Sequence, residues 1–490
     1  MASLLKHLVQ GNAMFFIIVL GMGGTFQNGF HVTVISSPSP FVKRFINSSW
    51  SERYGPPHPD TVTFLWSAVV AFFAVGGLLG SISLRMITDK LGRKKAMIWN
   101  NVISIVAAAI MLSSKYANSF EMILLSRLLF GFASGLGGNV HAIYLGESSP
   151  KKIRGLVTLT SATFVSIGKL SGQFAGLQEI LGREDWWNFL LCAPTVFAVV
   201  QLIVLPFFPE APRYLLIEKD NAEECRAALQ CLWGPGSYEK EMEEMVAEQK
   251  AIGGERSRSL LELLRDRRVR WQILTMLVLH GCIQFCGISA LSSFAYNIFQ
   301  EAGIPEERIR YMTMGIGASE VLTSITCGLL IDSVGRRVLL WRGFAGMSVL
   351  MASITVALCL QDYAFWIPYC TIALFFLFVI FYGGGPAGVQ PSLSHEIFIQ
   401  SCRPAAFVFS GILRWLGFAI MGFAFPFLIA LLKSYTFLIF SGACMFGALY
   451  IYLVVPETKG KTPLEISEEF NAIKLWRSHK KEQMSLETKL

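Results

Sequence analysis

The sequence predicts an all-α membrane protein with twelve transmembrane helices in two pseudo-symmetric six-helix halves. Of its 490 residues, 53% are hydrophobic and 16% are charged, a composition that a soluble protein cannot bury. Apolar runs of about 20 residues, the length that crosses a bilayer, recur along the chain. An internal repeat adds the third observation: the segment Asp89–Lys94 (DKLGRK) recurs as Asp332–Arg337 (DSVGRR), 332 − 89 = 243 residues later.

Twelve apolar runs are each long enough to form a membrane-spanning helix. Six precede a charged, helix-prone segment and six follow it. The predicted division is therefore a first half at 1–208, a cytoplasmic linker domain at 209–269, a second half at 270–455 and a tail at 456–490. The predicted spans are 13–35, 62–84, 96–113, 120–143, 156–178, 187–208, 270–296, 311–331, 338–359, 365–393, 405–431 and 434–455.

Basic residues in the loops predict the orientation of the chain. They follow spans 2, 4, 8 and 10, which are alternate loops, and short positive loops face the cytoplasm. Both termini are then cytoplasmic. The sequon at Asn47 lies in the loop after span 1, on the expected exterior side, where it can be glycosylated. The basic loop residues are Lys90, Arg93, Lys94, Lys95, Lys151, Lys152, Arg154, Arg336, Arg337 and Arg403.

Each half also contains an acid and an arginine at the same spacing. Glu147 and Arg154 are seven residues apart after span 4, and Glu396 and Arg403 are seven apart after span 10. Single exposed ion pairs are weak. Several pairs that form in one conformational state only can still bias a two-state equilibrium.

Four motifs resemble those of the major facilitator superfamily, and more closely those of its facilitative hexose transporters. The likeness covers essentially the whole chain. The fructose and urate branch is most similar, because Gly385–Val389 is not followed by the tryptophan that glucose-preferring members carry; Pro391 stands there instead. The resemblance implies the major facilitator fold and alternating access. The motifs are Arg127–Gly131, Tyr144–Gly155, Pro209–Tyr214 and Pro456–Gly460.

The resemblance further implies a conformational latch, in which charged networks at the cytoplasmic surface stabilise the outward-open state. The alternative is that the basic loop residues only fix the orientation of the chain in the membrane. The latch candidates are Asp89, Arg93, Arg127, Glu147, Arg154, Asp332, Arg336, Arg337, Glu396 and Arg403.

Polar side chains within the spans are candidates for a substrate site, because placing them in lipid is costly. A hexose requires hydrogen-bonding groups around its hydroxyls and an aromatic ring against its apolar face. By resemblance, Gln173, Gln284 and Trp415 match sugar-contacting positions. The alternative is that such residues join neighbouring helices by hydrogen bonds. The candidates are Asn28, His31, Lys169, Gln173, Gln284, Ser289, Arg414 and Trp415.

Charge within the spans leaves the type of solute open. Lys169 lies one helical turn before Gln173 and therefore on the same face. Glu320 is an acid in the middle of span 8. Lys169 is expected to pair with Glu320, to create a cationic cavity for an anionic or strongly polar solute, or to extend toward the membrane surface. By resemblance, His31 stands where hexose uniporters carry Asn and proton symporters carry Asp. Because no acid occupies span 1, we do not expect proton coupling, and His31 is the residue that leaves it open.

The leading hypothesis is a plasma-membrane uniporter that moves a monosaccharide such as fructose or glucose. Two alternatives are a urate-type organic-anion carrier and a non-transporting sugar sensor that signals through its loop or tail. The sequence shows no catalytic or metal-binding constellation, so we expect neither an enzyme nor a cofactor or metal. The expected partners are the small-molecule substrate and membrane lipid, with no nucleic acid. The oligomeric state is left open.

Overall fold

The protein is helical throughout the part of the chain that the computed structural model describes, which comprises residues 11–150, 154–253, 259–398, 402–461, 465–470 and 472. Short 3₁₀ turns and a π-helix at Gly383–Ala387 connect several of the α-helices. In chain order the α-helices are Ala13–Gly23 (α1), Thr25–Val34 (α2), Ser39–Tyr54 (α3), Pro59–Tyr116 (α4), Phe120–Ser148 (α5), Arg154–Ala175 (α6), Trp187–Cys192 (α7), Thr195–Val204 (α8), Pro212–Ile217 (α9), Ala222–Trp233 (α10), Glu239–Gly253 (α11), Leu260–Arg265 (α12), Arg270–Phe285 (α13), Ile288–Glu301 (α14), Glu306–Val334 (α15), Arg336–Cys359 (α16), Ile367–Tyr382 (α17), Gly388–Glu396 (α18), Arg403–Leu432 (α19) and Thr436–Val454 (α20).

Each predicted span coincides with one or more of these helices. Within the described residues, eight helical segments are long and apolar enough to cross a membrane. Two of them, Pro59–Tyr116 with 58 residues and Ala405–Val454 with 50, are long enough to cross twice, because about 20 helical residues span 30 Å. The remaining two predicted spans, 156–178 and 311–331, coincide with α6 and α15.

The internal repeat of the sequence reappears as a repeated bend. The helix α4 contains spans 2 and 3 and bends at Gly92, whose φ is +80°. At the equivalent place, 335 − 92 = 243 residues later, Gly335 has a φ of +101° and separates α15 from α16. This region of φ is readily adopted only by glycine, so the glycine of each motif is required for the bend.

The first span of each half is discontinuous. Span 1 is divided into α1 and α2 at Gly24, and span 7 is divided into α13 and α14 near Gly287, whose φ is +98°. Non-helical backbone at membrane depth is tolerated where protein or a water-filled cavity surrounds it. Broken spans in corresponding positions of two halves are a common sign of a transport site.

Small residues allow close contact between neighbouring helices in the first half. A Cβ atom at Gly131 of α5 would lie 2.0 Å from the Phe73 carbonyl oxygen of α4. A Cβ atom at Gly168 of α6 would lie 2.1 Å from the Phe26 carbonyl oxygen of α2. Side chains that small let membrane helices approach backbone to backbone, and this contact fixes α6, which carries two site candidates.

The chain divides into two units, and unit 1 takes residues from both halves of the sequence. In unit 1, a buried cluster joins α1, α5 and α10 through Leu20, Tyr144 and Leu229, each fully buried. The division into two halves, a linker domain and a tail remains a prediction. Unit 1 comprises Met1–Gly254, Ala290–Val321 and Phe418–Phe427, and unit 2 comprises Glu255–Ser289, Leu322–Gly417 and Leu428–Leu490.

Candidate functional site

An ion pair joins α6 to α15 within unit 1. The Nζ atom of Lys169 lies 2.5 Å from Oε1 of Glu320, and the two side chains are 18% and 15% exposed. Of the three alternatives for Lys169, the structure therefore contains the internal pair. Because both side chains keep some exposure, the pair is accessible rather than sealed in the helix packing.

Gln173 lies one turn beyond Lys169 on α6 and faces the same helix. Its side chain is 8% exposed, and its Oε1 atom has no hydrogen-bond partner among the described residues. A Cβ atom at Gly317 would lie 1.7 Å from that oxygen. The space left by Gly317 is therefore what allows the Gln173 amide to lie against α15.

The backbone of Lys169 is fixed by α2. Thr33 Oγ1 donates a hydrogen bond of 2.8 Å to the Lys169 carbonyl oxygen. A Cβ atom at Gly29 would lie 2.0 Å from the Val165 carbonyl oxygen, one turn earlier on α6. The position of α6 against α2 thus sets where the Lys169 and Gln173 side chains start.

The two candidates on α2 are buried in unit 1. Asn28 is 9% exposed and His31 is 1% exposed. The His31 ring lies 4.3 Å from the Phe130 ring, and neither of its nitrogens has a hydrogen-bond partner among the described residues. Arg127 donates to the His31 carbonyl oxygen at 3.3 Å. The His31 ring therefore packs among aromatic side chains, and the Arg127 guanidinium binds its carbonyl oxygen rather than its ring.

In unit 2, Ser289 and Gln284 are in contact, and Trp415 lies on the helix that packs against Gln284. Ser289 Oγ donates to Gln284 Oε1 at 2.7 Å. A Cβ atom at Gly417 would lie 2.5 Å from Gln284 Cγ, and Trp415, two residues earlier, is 3% exposed. Arg414 is exposed, and its guanidinium carbon lies 5.3 Å from the Trp415 ring centroid. That the candidates of both units line one central site remains a prediction.

A second polar contact in unit 2 was not expected from the sequence. The Nε2 atoms of His280 on α13 and Gln390 on α18 lie 3.1 Å apart, a hydrogen bond in which the imidazole accepts from the amide. His280 is 3% exposed. Both residues are polar positions inside predicted spans, which is the signal that would have identified them.

The first charged network surrounds Arg93, at the bend of α4. Its Nη2 atom donates to Glu147 Oε1 of α5 at 2.9 Å and lies 2.8 Å from Glu218 Oε1. Its guanidinium carbon is 4.5 Å from the Tyr214 ring centroid on α9. One arginine thus joins α4 and α5 to the segment that follows span 6.

The second network surrounds Arg336, at the start of α16. Its Nε atom donates to Glu396 Oε1 of α18 at 3.1 Å, and Thr458 Oγ1 donates to the other oxygen of Glu396 at 2.5 Å. Arg93 and Arg336 are 336 − 93 = 243 residues apart, so equivalent arginines bind equivalent glutamates in the two halves.

The glutamates of the two Pro-Glu motifs complete these networks, although neither was among the latch candidates. Glu210 accepts hydrogen bonds of 2.9 and 3.1 Å from the two N–H groups that follow Gly92. Glu457 accepts bonds of 2.9 and 3.1 Å from the two N–H groups that follow Gly335. A carboxylate at a helix N-terminus satisfies free N–H groups and the helix dipole. The repeated Pro-Glu pair was the sequence signal for them.

The other latch candidates make different contacts or are not described. Asp89 lies 3.6 Å from Arg85, both well exposed on the same helix. Arg127 is 1% exposed and donates to the carbonyl oxygens of Val69 and His31, not to a carboxylate. Arg337 donates to the Tyr452 carbonyl oxygen at 2.5 Å. The side chains of Arg154, Asp332 and Arg403 lie outside the described residues.

Asn47 of the sequon is exposed on α3. Its partner in the sequon, Ser49, is fully buried and donates to the Asn118 carbonyl oxygen at 2.7 Å. The asparagine side chain is therefore accessible in the folded protein, as a glycan requires.

Helical spans in two related halves, broken first spans and duplicated charge networks define a multi-pass membrane protein with the major facilitator fold. Solved structures support that fold. The inward-open conformation of the xylose transporter XylE from E. coli matches with a TM-score of 0.76, at 19% identity, over 94% of this chain and 99% of that one. The partially occluded inward-open conformation matches with a TM-score of 0.74, at 19% identity, over 91% and 98%.

A family model described as "Sugar (and other) transporter" matches residues 16–470. The chain belongs to this family, and the predictions of fold and family from the sequence are confirmed. It is similar to solute carrier family 2, facilitated glucose transporter member 9 of Homo sapiens, with 42% identity over 92% of this chain and 83% of that protein. Member 11 of Homo sapiens is 40% identical over 96% and 95%, and member 5 of Equus caballus is 39% identical over 92% and 91%. The protein is thus a transporter and not an enzyme.

Proposed function

We propose that this protein is a facilitative uniporter that moves a monosaccharide, such as fructose or glucose, across a membrane by alternating access. The duplicated charge network carries the proposal. The networks around Arg93 and Arg336 occupy equivalent positions in the two halves of the chain. Structurally equivalent halves are typical of transporters that work by alternating access. The relatives named facilitated glucose transporters support a sugar as the solute.

The proposed substrate site combines the polar and aromatic candidates of both units. Gln173 of α6 and Gln284 of α13 supply hydrogen bonds to hydroxyls, and Trp415 supplies an aromatic face. Asn28, His31 and Ser289 complete the polar lining. The compensation of Lys169 by Glu320 supports a neutral solute. Arg414, an exposed residue whose guanidinium carbon lies 5.3 Å from the Trp415 ring centroid, favours the organic-anion alternative.

Uptake by proteoliposomes tests this function. The purified protein is reconstituted and supplied with labelled fructose, glucose or urate at two pH values. We expect saturable uptake of a hexose that does not require a proton gradient. Uptake of urate alone would establish the anion carrier, hexose uptake driven by a proton gradient would establish a symporter, and hexose binding without uptake would establish a sensor.

Substitution in the proposed site tests the role of its residues. Gln284→Ala leaves a desolvated sugar hydroxyl unpaired and should weaken hexose binding by about 1–3 kcal/mol, or about 5- to 150-fold. The matched control is Gln300→Ala, because Gln300 is an exposed glutamine at the end of α14. Equal binding by the parent and by alanine variants of Gln173, Gln284 and Trp415 would rule out this site.

The proposed location is the plasma membrane, with both termini in the cytoplasm. The alternate basic loops support this orientation, and so does the exposed Asn47 of the sequon. Glycosylation of the wild type that is lost in Asn47→Gln would agree with it. A glycan on a sequon inserted near residue 253 would contradict it.

A further inference from the structure

We propose that Glu320 is a specificity-determining residue, which neutralises Lys169 beside Gln173 and thereby restricts the path to uncharged solutes. The inference rests on the proposed function, because it names the class of solute that the same site accepts. It assigns to Glu320 a role other than binding substrate directly.

The pair and the glutamine form one patch on two facing helices. Lys169 and Gln173 are four residues apart on α6, and Gly317 and Glu320 are three apart on α15, spacings that place each set on one helix face. The 2.5 Å pair is 18% and 15% exposed. Next to it Gln173 is 8% exposed, and its side-chain oxygen has no hydrogen-bond partner among the described residues. An unsatisfied buried amide beside an accessible ion pair indicates a place where a polar solute binds.

The backbone that carries Lys169 is fixed against α2. The Lys169 carbonyl oxygen accepts a 2.8 Å hydrogen bond from Thr33. Gly168 lies so close to the Phe26 carbonyl oxygen that a Cβ atom would be 2.1 Å from it. The backbone of α6 is therefore held against α2 at this level, so the lysine has a fixed starting point in the middle of the span.

Charge compensation then discriminates between solutes. An unpaired ammonium in a site of low dielectric would attract a carboxylate through a charge-assisted hydrogen bond. With Glu320 already bound to it, an incoming anion must displace that carboxylate and leave it buried and unpaired, which is costly. An uncharged hydroxyl needs no displacement, because it can accept a hydrogen bond from the ammonium group of Lys169 while the ion pair stays intact. The site thus discriminates against anions because their binding costs the free energy of separating Glu320 from Lys169.

Competition for hexose uptake tests the inference. Reconstituted wild type, Glu320→Gln, Lys169→Gln and the double variant are assayed for uptake of labelled fructose and glucose, with glucuronate and glucosamine as competitors. These competitors add one negative or one positive charge to a hexose skeleton. Glu184→Gln is the matched control, because it removes an acid from the exposed Arg44–Glu184 pair, whose side chains are 60% and 59% exposed.

Glu320→Gln should improve inhibition by glucuronate relative to unlabelled hexose by at least about tenfold, the effect of one charge-assisted hydrogen bond. Lys169→Gln should instead improve inhibition by glucosamine, because Glu320 then lacks its counter-charge. The double variant and Glu184→Gln should retain the wild-type preference for uncharged sugars.

Each other outcome has a distinct meaning. A wild type that moves neither hexose contradicts the proposed function itself. A wild type that moves hexose, together with a folded Glu320→Gln variant whose preference is unchanged, overturns only this inference. If thermal unfolding shows that neither single variant folds while the double variant does, the pair is purely structural and the inference is wrong.

Discussion

At the scale of single residues, Lys169 is a cation in the middle of a membrane span with an internal partner. The pair with Glu320 contributes little if both members are replaced together, since desolvation offsets attraction. Loss of one member is different, because it leaves the other charged and largely enclosed. The residue is therefore tied to α15 by the cost of separating the charges.

Lys169→Gln should lower the free energy of unfolding by up to about 3–5 kcal/mol, because Glu320 is left without its counter-charge. Adding Glu320→Gln should restore most of the loss. Thermal unfolding of purified protein in detergent measures both. Arg44→Gln is the control, because it breaks an exposed pair worth less than about 1 kcal/mol. A Lys169→Gln variant as stable as its parent would show that the ion pair does not hold α6 to α15.

Gly317 is required by its neighbour rather than by its own backbone. Gly317→Ala would place a methyl group 1.7 Å from the Gln173 oxygen and should displace the amide and weaken hexose binding. The same change in a Gln173→Ala background should have little further effect, because the clash is gone. Gly442→Ala is the control, since a Cβ atom there has no neighbour within 4 Å. If the two substitutions weakened hexose binding additively, Gly317 would act independently of Gln173.

At the scale of elements, the linker helix α10 packs on the membrane helices through one face. Asn221 caps it by accepting a 3.1 Å hydrogen bond from the Glu224 N–H. Trp233 Nε1 donates to the Ser148 carbonyl oxygen at 2.8 Å. Cys225 is fully buried on this face, whereas Cys231 is exposed.

This packing predicts selective thiol chemistry on α10. Burial raises the pKa of the Cys225 thiol to about 11, so near pH 8 it remains protonated and unreactive, since the thiolate is the nucleophile. N-ethylmaleimide should therefore modify Cys231 and leave Cys225 unmodified, as read by mass spectrometry of peptides. Cys231→Ser should not make Cys225 reactive. Equal modification of both residues in folded protein would mean that α10 is not docked as described.

At the scale of the whole molecule, both halves contain the same charged contacts at equivalent positions. Arg93 with Glu147 and Arg336 with Glu396 occupy equivalent positions. Glu210 and Glu457 each hold the start of a helix after a positive-φ glycine. A change in one network should therefore act on the balance between conformations as well as on stability.

Glu396→Gln is expected to shift the population toward the inward-open state by about 1–2 kcal/mol, or about fivefold to thirtyfold, since it weakens its bonds with Arg336 and Thr458. Accessibility of single cysteines introduced on each side of the membrane measures the shift. Glu469→Gln is the control, because it disrupts a partly exposed pair with Lys461 outside both networks. Unchanged labelling in Glu396→Gln would argue against the latch.

The amino-acid sequence by itself determined the helical class, the twelve spans and the duplication. Span length follows from bilayer thickness, and the two bends follow from glycines that each motif carries. The acid-arginine pairs of the networks were also predictable, because the repeat places equivalent residues in both halves. The combination of several motifs identified the family.

Only the tertiary structure decided which polar residues meet. Lys169 and Glu320 are 151 residues apart. No local sequence pattern distinguishes a lysine that pairs with an acid of the protein from one that binds an anionic solute. Arg127 was expected in a charged network and instead donates to carbonyl oxygens, whereas Glu210 and Glu457 join the networks by accepting hydrogen bonds from backbone N–H groups. The contact of His280 with Gln390 likewise depends on helix packing. Hydrophobic periodicity shows on which span a residue lies. The partner of a buried polar group depends on which helices pack together, and this is determined only in the folded protein.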